Sequence, residues 1–447
     1  MGTKVATVIV VVGLLMMAGV GARADASSTD RGQTDLSSLP AIEAYLTSIG
    51  VDPGSVVIQQ GPLNYAGPLC PGDGWNCTAA TRVVQIASSA SPAANIFDCL
   101  PSLDALIPAL NECLVVQSSL LDPLETSSSM NSASCNTDLS DGSGKSKCTI
   151  RQQAKKGNNN ANVNQRINQR GGSPQTATED AEINQTSDTG KNTATIRLTI
   201  QQTLDIDSTP PVSQQQQARQ TAKVTQTAGG GNNSSDVQQT ILQAEDAQSN
   251  SDITQDQNTD PAFAPNQKAT VTQTTSTGAN TSNLQHQLTQ RQHANSCTTC
   301  TITQNQGLPF PGGQSGSVTQ TAGGVAQNSI AGQNESQTQD AGTFGTLIRT
   351  KFGPEDCCTT QNGGTAANNC QITQSNDQAQ TPTANPSMNS EQKGTAKEDV
   401  VGANCTLDQT YTANGVPHHH TETAPVILHD RFCSADAETN SCSDEFF

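Results

Sequence analysis

Aromatic residues are scarce in this chain: one Trp, three Tyr and eight Phe among 447 residues. A globular core normally draws much of its buried area from such rings, so a conventional aromatic core is excluded. Basic residues are scarce as well. Lys and Arg number 22 against 40 Asp and Glu, for a net charge of −18. That excludes the clustered positive surface that nucleic acids and anionic membranes require. Beyond the first two dozen residues, no apolar run approaches the ~20 residues of a membrane helix. Paired carboxylates standing out at close spacing, which a polysaccharide-cleaving β-helix needs, are also missing. The chain therefore reads as a non-enzyme with no cofactor, no metal site, no nucleic-acid partner and no membrane span.

What is abundant is one short word: an aliphatic residue, a spacer, then Gln. It stands at Ile150/Gln152, Ile183/Gln185, Ile200/Gln202, Val237/Gln239, Ile241/Gln243, Ile302/Gln304 and Ile372/Gln374, among others. The block Val224-Thr225-Gln226-Thr227 returns as Val271-Thr272-Gln273-Thr274 and as Val318-Thr319-Gln320-Thr321, 47 residues on each time. Self-similarity at a fixed period marks a repeat architecture. Residues two apart in a strand share a face, so Val224, Val271 and Val318 are expected inside together with Gln226, Gln273 and Gln320. The threonines then face out. A lone buried Gln is costly, because both ends of its amide need partners. Stacked strands solve this, each amide donating to one rung and accepting from the other. The Gly- and Asn-rich intervals after each block supply the turns. The secondary apolar positions repeat with slippage: Val237 and Leu284 share an offset that Ile330 misses by one, and Ile241 and Leu288 are followed by Glu335.

The fold class is accordingly mainly β: an irregular repeat β-solenoid, or stacked strand–turn–strand region, with a small disulfide-rich α+β N-terminal domain and a flexible tail. Residues 1–24 read as a secretory signal peptide, with Lys4, an apolar stretch and Ala22-Arg23-Ala24 as cleavage site. A flexible leader spans 25–38, a cysteine-containing globular domain 39–125 with helices expected near 42–49 and 100–116, and a linker 126–148. The repeats occupy 149–375 and a mostly irregular tail 376–447. The 14 cysteines suit an oxidising compartment. They are expected in disulfides: Cys70, Cys77, Cys99, Cys113, Cys135 and Cys148 before the repeats, then Cys297, Cys300, Cys357, Cys358, Cys370, Cys405, Cys433 and Cys442. Their connectivity stays open.

Short motifs add little chemistry. Gly144-Lys145-Ser146 ends like a phosphate-binding loop, but Leu139 stands where the first glycine belongs, so it reads as linker. Cys297-Thr298-Thr299-Cys300 has the spacing of half a zinc site, yet a structural disulfide fits its cysteine-rich surroundings better. His418-His419-His420 in the tail reads as adventitious. Asn76, Asn184, Asn280 and Asn334 head glycosylation sequons.

The stretch from Gln320 through Gly323, Asn328 and Ile330 to Gln333 resembles the curlin repeat of bacterial functional amyloid, and Val271 to Gln287 is a looser copy. The resemblance covers roughly residues 149–375. It implies an exported β-solenoid able to polymerise into extracellular fibres, although curlin units are about half this period and lack cysteines. The expected function is that of a secreted or cell-surface structural protein, associating with itself, with other surface or matrix proteins, or with polysaccharide. An alternative is a binding module whose threonine rows, such as Thr270, Thr272 and Thr274 with Thr301 and Thr303, meet a regular surface. A third is a disordered display tether, since Gln/Ser/Thr-rich composition also marks disorder.

Overall fold

The computed structural model describes most of residues 129–380, with side chains over most of 131–340 and at a few positions beyond, together with the backbone of strands reaching out to Val57 and Phe446. The signal peptide and leader lie outside the described residues, as do Trp75, Cys70, Cys77, Cys297 and Cys300. Of the helix expected near 42–49, Ala44 and Thr47 are described and are helical.

Two sheets, one of 14 strands and one of 11, are built by strands that alternate between them along the chain. Gln175–Ser187 lies in the first sheet, Asn192–Ser208 in the second, Val212–Ala228 in the first, and Asn233–Ser249 in the second. Each of these strands pairs in parallel with the strand one coil earlier and one coil later, in register. This is a two-sided β-solenoid. Burial alternates along most strands, strictly so in Asn233–Ser249, because one side of each strand faces the opposite sheet and the other faces solvent.

The interior carries aliphatic columns in place of rings. Ile150, Ile183, Val224, Val271 and Val318 stack in the first sheet, and Val163, Ile196, Val237, Leu284 and Ala331 in the second; all are buried. The slippage at Ile330 resolves here. Ala331 takes the inner position opposite Leu284, and Ile330 points outward.

The 47-residue period is an enlarged coil. One column of glutamines in the first sheet runs through Gln152, Gln185, Gln226, Gln273, Gln320 and Gln361, with intervals of 33, 41, 47, 47 and 41. Val212–Ala228 is continuous, whereas its partner one coil later is split into Ile253–Gln257 and Gln267–Thr275. Gln216 pairs with Gln257 and Gln220 with Gln267, so three residues face nine. The six extra residues bulge outward as a loop holding the short 3₁₀ turn Pro261–Phe263. They account for the step from 41 to 47 without disturbing register on either side.

The turn between the sheets repeats with Gly157, Gly190, Gly231 and Gly278 placed two residues before Asn159, Asn192, Asn233 and Asn280. A Cβ on Gly231 would overlap the carbonyl oxygen of Gly190 beneath it, and one on Gly278 would overlap that of Gly231. Glycine is required by the close stacking of turns, not by an unusual φ.

The stack begins earlier and ends later than residues 149–375. Residues 126–148, expected as linker, contribute the strands Ser129–Ser140 and Gly144–Ala154. Their small residues alternate as a strand requires, with Asn131, Ala133 and Cys135 inside and Ser132 and Ser134 between them half-buried. Asn111–Ser119 pairs with Gly144–Ala154, so positions 111–116 are strand where helix was expected; Leu114-Val115-Val116 favours extension. The tail carries five strands, the last of which pair antiparallel: Pro386–Val400 with Leu428–Asp436, and Ala403–Ala413 with Val416–Ala424.

Gly231→Ala should cost about 2–4 kcal/mol through overpacking of stacked backbones. Gly230→Ala, whose Cβ would meet nothing closer than 3.8 Å, should be close to neutral. Urea denaturation of both variants checks the pair, and equal effects would contradict the stacked turn.

Candidate functional site

Among the described residues, seven columns of buried amides run between the sheets. In the first, Gln185 Nε2 donates to Gln152 Oε1 at 2.8 Å, Gln226 to Gln185 at 2.8 Å, Gln273 to Gln226 at 2.7 Å, Gln320 to Gln273 at 2.8 Å and Gln361 to Gln320 at 2.9 Å. The second Nε2 proton crosses to the opposite sheet, reaching the carbonyl of the residue eight positions on: Ser234 from Gln226, Thr281 from Gln273, Asn328 from Gln320. Both donors and the oxygen of Gln226 and Gln273 are thus used. In the second sheet Gln169, Gln202, Gln243, Gln290 and Gln337 form an equivalent column. At the turn, Asn131, Asn159, Asn192, Asn233 and Asn280 form a third, at 2.8–2.9 Å per step. Each of the last four Asn also donates to the carbonyl of an outer threonine: Thr186, Thr227, Thr274 and Thr321 respectively. The word Gln-Thr-(five residues)-Asn is therefore the wiring of one corner. In the glutamine columns the amide nitrogen points to the earlier coil and the oxygen to the later one, whereas the asparagine column runs the opposite way, nitrogen toward the later coil.

Three buried titratable residues interrupt or begin columns. Glu179 starts the line Gln220, Gln267, Gln314, its Oε2 accepting from Gln220 Nε2 at 2.8 Å. Glu245 starts the line Gln292, Gln339. Burial pushes both carboxyls well above the usual carboxylate range, partly offset by the amide that donates to each; Asp256 raises Glu245 further. His286 stands between Gln239 and Gln333. Neither of its ring nitrogens has a hydrogen-bond partner, and burial brings its pKa down to about 3.

Cys135 and Cys148 are buried thiols in contact with one another, within the aliphatic core; they are not bonded as a disulfide in this structure. Burial, then the Cys135 contact, raises the Cys148 thiol well above its usual value. Cys99, Cys113, Cys357, Cys358, Cys370, Cys405, Cys433 and Cys442 are placed by backbone alone. Gly144, Lys145 and Ser146 lie in a strand, and buried Ser146 accepts from Gln165 at 2.7 Å. Asn280 heads a sequon yet sits inside the amide column, whereas Asn184 and Asn334 face outward. His419 is exposed, its Nδ1 2.9 Å from Thr410 Oγ1.

Outside the first sheet, Thr225, Thr272 and Thr319 are in register in one column, with Thr227, Thr274 and Thr321 in the next. Thr186 extends the second column at one end and Thr360 the first at the other. Thr270 and Ser317 continue the hydroxyl surface sideways. Neighbouring hydroxyls are spaced by ~4.8 Å across strands and ~6.6 Å along them, the dimensions of parallel sheet. Charges begin only at its margin, where Lys223 meets Glu182 at 3.5 Å. Thr303 lies in a separate row, beside Thr254. The outward loop absorbs the unequal coil lengths, so the rows stay in register.

Gln273→Ala should leave the Gln226 carbonyl without its donor and cost about 1–3 kcal/mol, whereas Thr272→Ser should cost little; melting of both variants checks this. The carboxyls add a pH test. A raised carboxyl stabilises the fold fully below its unfolded pKa of about 4.3, and that contribution is lost as pH climbs through the folded value. Glu179→Gln should therefore raise Tm at pH 7 and change it little at pH 4. His286 acts in the opposite sense: its contribution is present above about pH 6.5 and is lost as pH falls toward about 3. His286→Gln should accordingly protect the fold under acid. Melting curves from pH 3 to pH 8 read both signs, and a Glu179→Gln gain equal at pH 4 and pH 7 would contradict the assignment.

No family model, curated protein or solved structure matches this chain.

Proposed function

We propose that this chain is an exported structural protein of a cell surface or extracellular matrix: a stiff β-rod that acts by its shape and outer faces and catalyses nothing. The observation that carries this reading is the unbroken Gln152-to-Gln361 column, which ties six coils with amides satisfied on both sides. So much sequence spent on a filled interior of stacked amides and aliphatic side chains suits a spacer or scaffold. The curlin-like words fit export, but the ends of the rod argue for a single-chain object. At one end the edges among the described residues are the short strands Val57–Gln60 and Asn64–Tyr65. At the other, antiparallel strands cover the coil edge. Growth by rung-on-rung addition needs long open edges, and these are blunted. Antibody labelling of intact producing cells and their medium tests the proposal. Label at the surface or in the medium is expected, and retention inside intact cells would sink it.

The threonine grid favours a second reading within the same class of object, adhesion to a regular hydroxyl-bearing surface such as an ordered polysaccharide. Six hydroxyls in two registered columns match a repeating lattice of donors and acceptors better than a single flexible ligand. Replacing Thr272 and Thr274 by Tyr would break the flat face while leaving the interior alone. In co-sedimentation with insoluble cellulose and chitin, the parent is expected to bind at least one, and the double variant to lose about tenfold in affinity with Tm unchanged. Equal sedimentation of the two would remove the grid from the account.

A further inference from the structure

We infer that Cys135 and Cys148 form a disulfide that staples the two sheets together inside the rod, and that Cys99 and Cys113 form the same staple one coil earlier. The inference rests on the proposed export, which supplies an oxidising compartment.

The geometry selects this pairing from the three that four cysteines allow. Cys135 lies on Ser129–Ser140 of the second sheet and Cys148 on Gly144–Ala154 of the first. Their thiols touch across the interior, both buried. Cys99 is in register with Cys135, and Cys113 with Cys148. The earlier pair thus occupies the same two columns one coil down. The rival pairing would join neighbours within a sheet, Cys99 to Cys135 and Cys113 to Cys148. Parallel strands stand ~4.8 Å apart, whereas a disulfide wants Cβ atoms at about 3.8 Å. In the following coil the two columns continue as Val163 and Ala181, and no cysteine stacks on the pair. The staples therefore belong to the first coils, whose strands Asn95–Cys99 and Asn111–Ser119 are short.

The chemistry needs an oxidant of the disulfide class, either a small dithio compound such as oxidised glutathione or an oxidoreductase disulfide. Two thiols lose two protons and two electrons, the sulfur–sulfur bond forms, and the oxidant is reduced to two thiols. Burial disfavours the Cys148 thiolate that must attack. Oxidation therefore accompanies folding, before the coil closes.

The test refolds the full-length chain from denaturant with a glutathione redox pair, alkylates residual thiols, and digests with trypsin and an aspartate-directed protease. These cuts leave the four cysteines on separate peptides, since Asp98, Asp104, Asp122 and Lys147 each precede one of them. Cross-linked peptides joining Cys135 to Cys148 and Cys99 to Cys113 are expected. Links from Cys99 to Cys135 and Cys113 to Cys148, mixed links, or four alkylated thiols would overturn the inference. A second measurement guards against a folding failure. The double variant Cys135→Val with Cys148→Ala, which adopts the next residues of each column, should melt about 5 °C or more below the oxidised parent. A variant equal to the oxidised parent would also overturn it. Cells quenched with alkylating agent at harvest give the remaining arm. Free thiols there, alongside correct links after refolding, would refute the export reading and leave the pairing intact.

Discussion

The side-chain amide stacked on its own copy one coil away is the interaction on which the rest of this structure depends. A two-sheet rod of this narrowness has little room for rings, and aliphatic columns such as Ile150 to Val318 fill only part of the gap. The remaining space is taken by polar side chains that would be expensive to bury alone. Gln solves the problem because it offers two donors and an acceptor at the end of a flexible stem, which is the inventory needed to join the previous coil, the next coil and the facing sheet at once. Asn does the same at the corner with a shorter reach. Hydrophobic burial and hydrogen bonding therefore share one interior, layer by layer.

Much of this was legible in the sequence. The aliphatic-x-Gln word encodes a strand with both residues on one side, and the threefold Val-Thr-Gln-Thr block pointed to Val271 and Gln273 as interior. Two-sheet alternation was not legible, because apolar-x-Gln words at short intervals fit three strands per period as well as two with a bulge. The extent of the stack was hidden for a different reason. Ser, Asn and Gly at 126–148 look like linker by composition, yet a coil interior tolerates Asn131, Ala133 and Cys135 as readily as Val. The long strands of the tail escaped notice because their polar composition lacks the aliphatic signal. The 47-residue block gives the register of the central threonines, but Thr186 and Thr360, each 41 residues from its neighbour, could not be placed by that spacing, since extra residues such as those of 258–266 leave the line of the strand altogether.

That last point shows how the fold accommodates variation. Along the first column the coil interval ranges from 33 to 47 residues, yet every amide meets its neighbour at 2.7–2.9 Å. Length changes are confined to outward loops and to strand extension at the far side, while Gly190, Gly231 and Gly278 keep the opposite turn tight. Such a rod can gain surface loops without altering its interior, which separates the part that folds from the part that meets partners.

The common direction of the glutamine columns has an electrical consequence. Each carboxamide is a dipole, and glutamine columns that send nitrogen toward the earlier coil and oxygen toward the later one add head to tail, much as peptide units do in a helix; the asparagine column at the corner runs the other way and offsets part of the sum. The leading end of each glutamine column is electropositive and the trailing end electronegative. Glu179 and Glu245 stand at leading ends, where an acidic residue would cap a helix. At a trailing end, the column Gln216, Gln257, Gln306 is followed in register by Lys351. The glutamine columns thus make the interior polar along the axis, with an acid placed at the donor end of two of them.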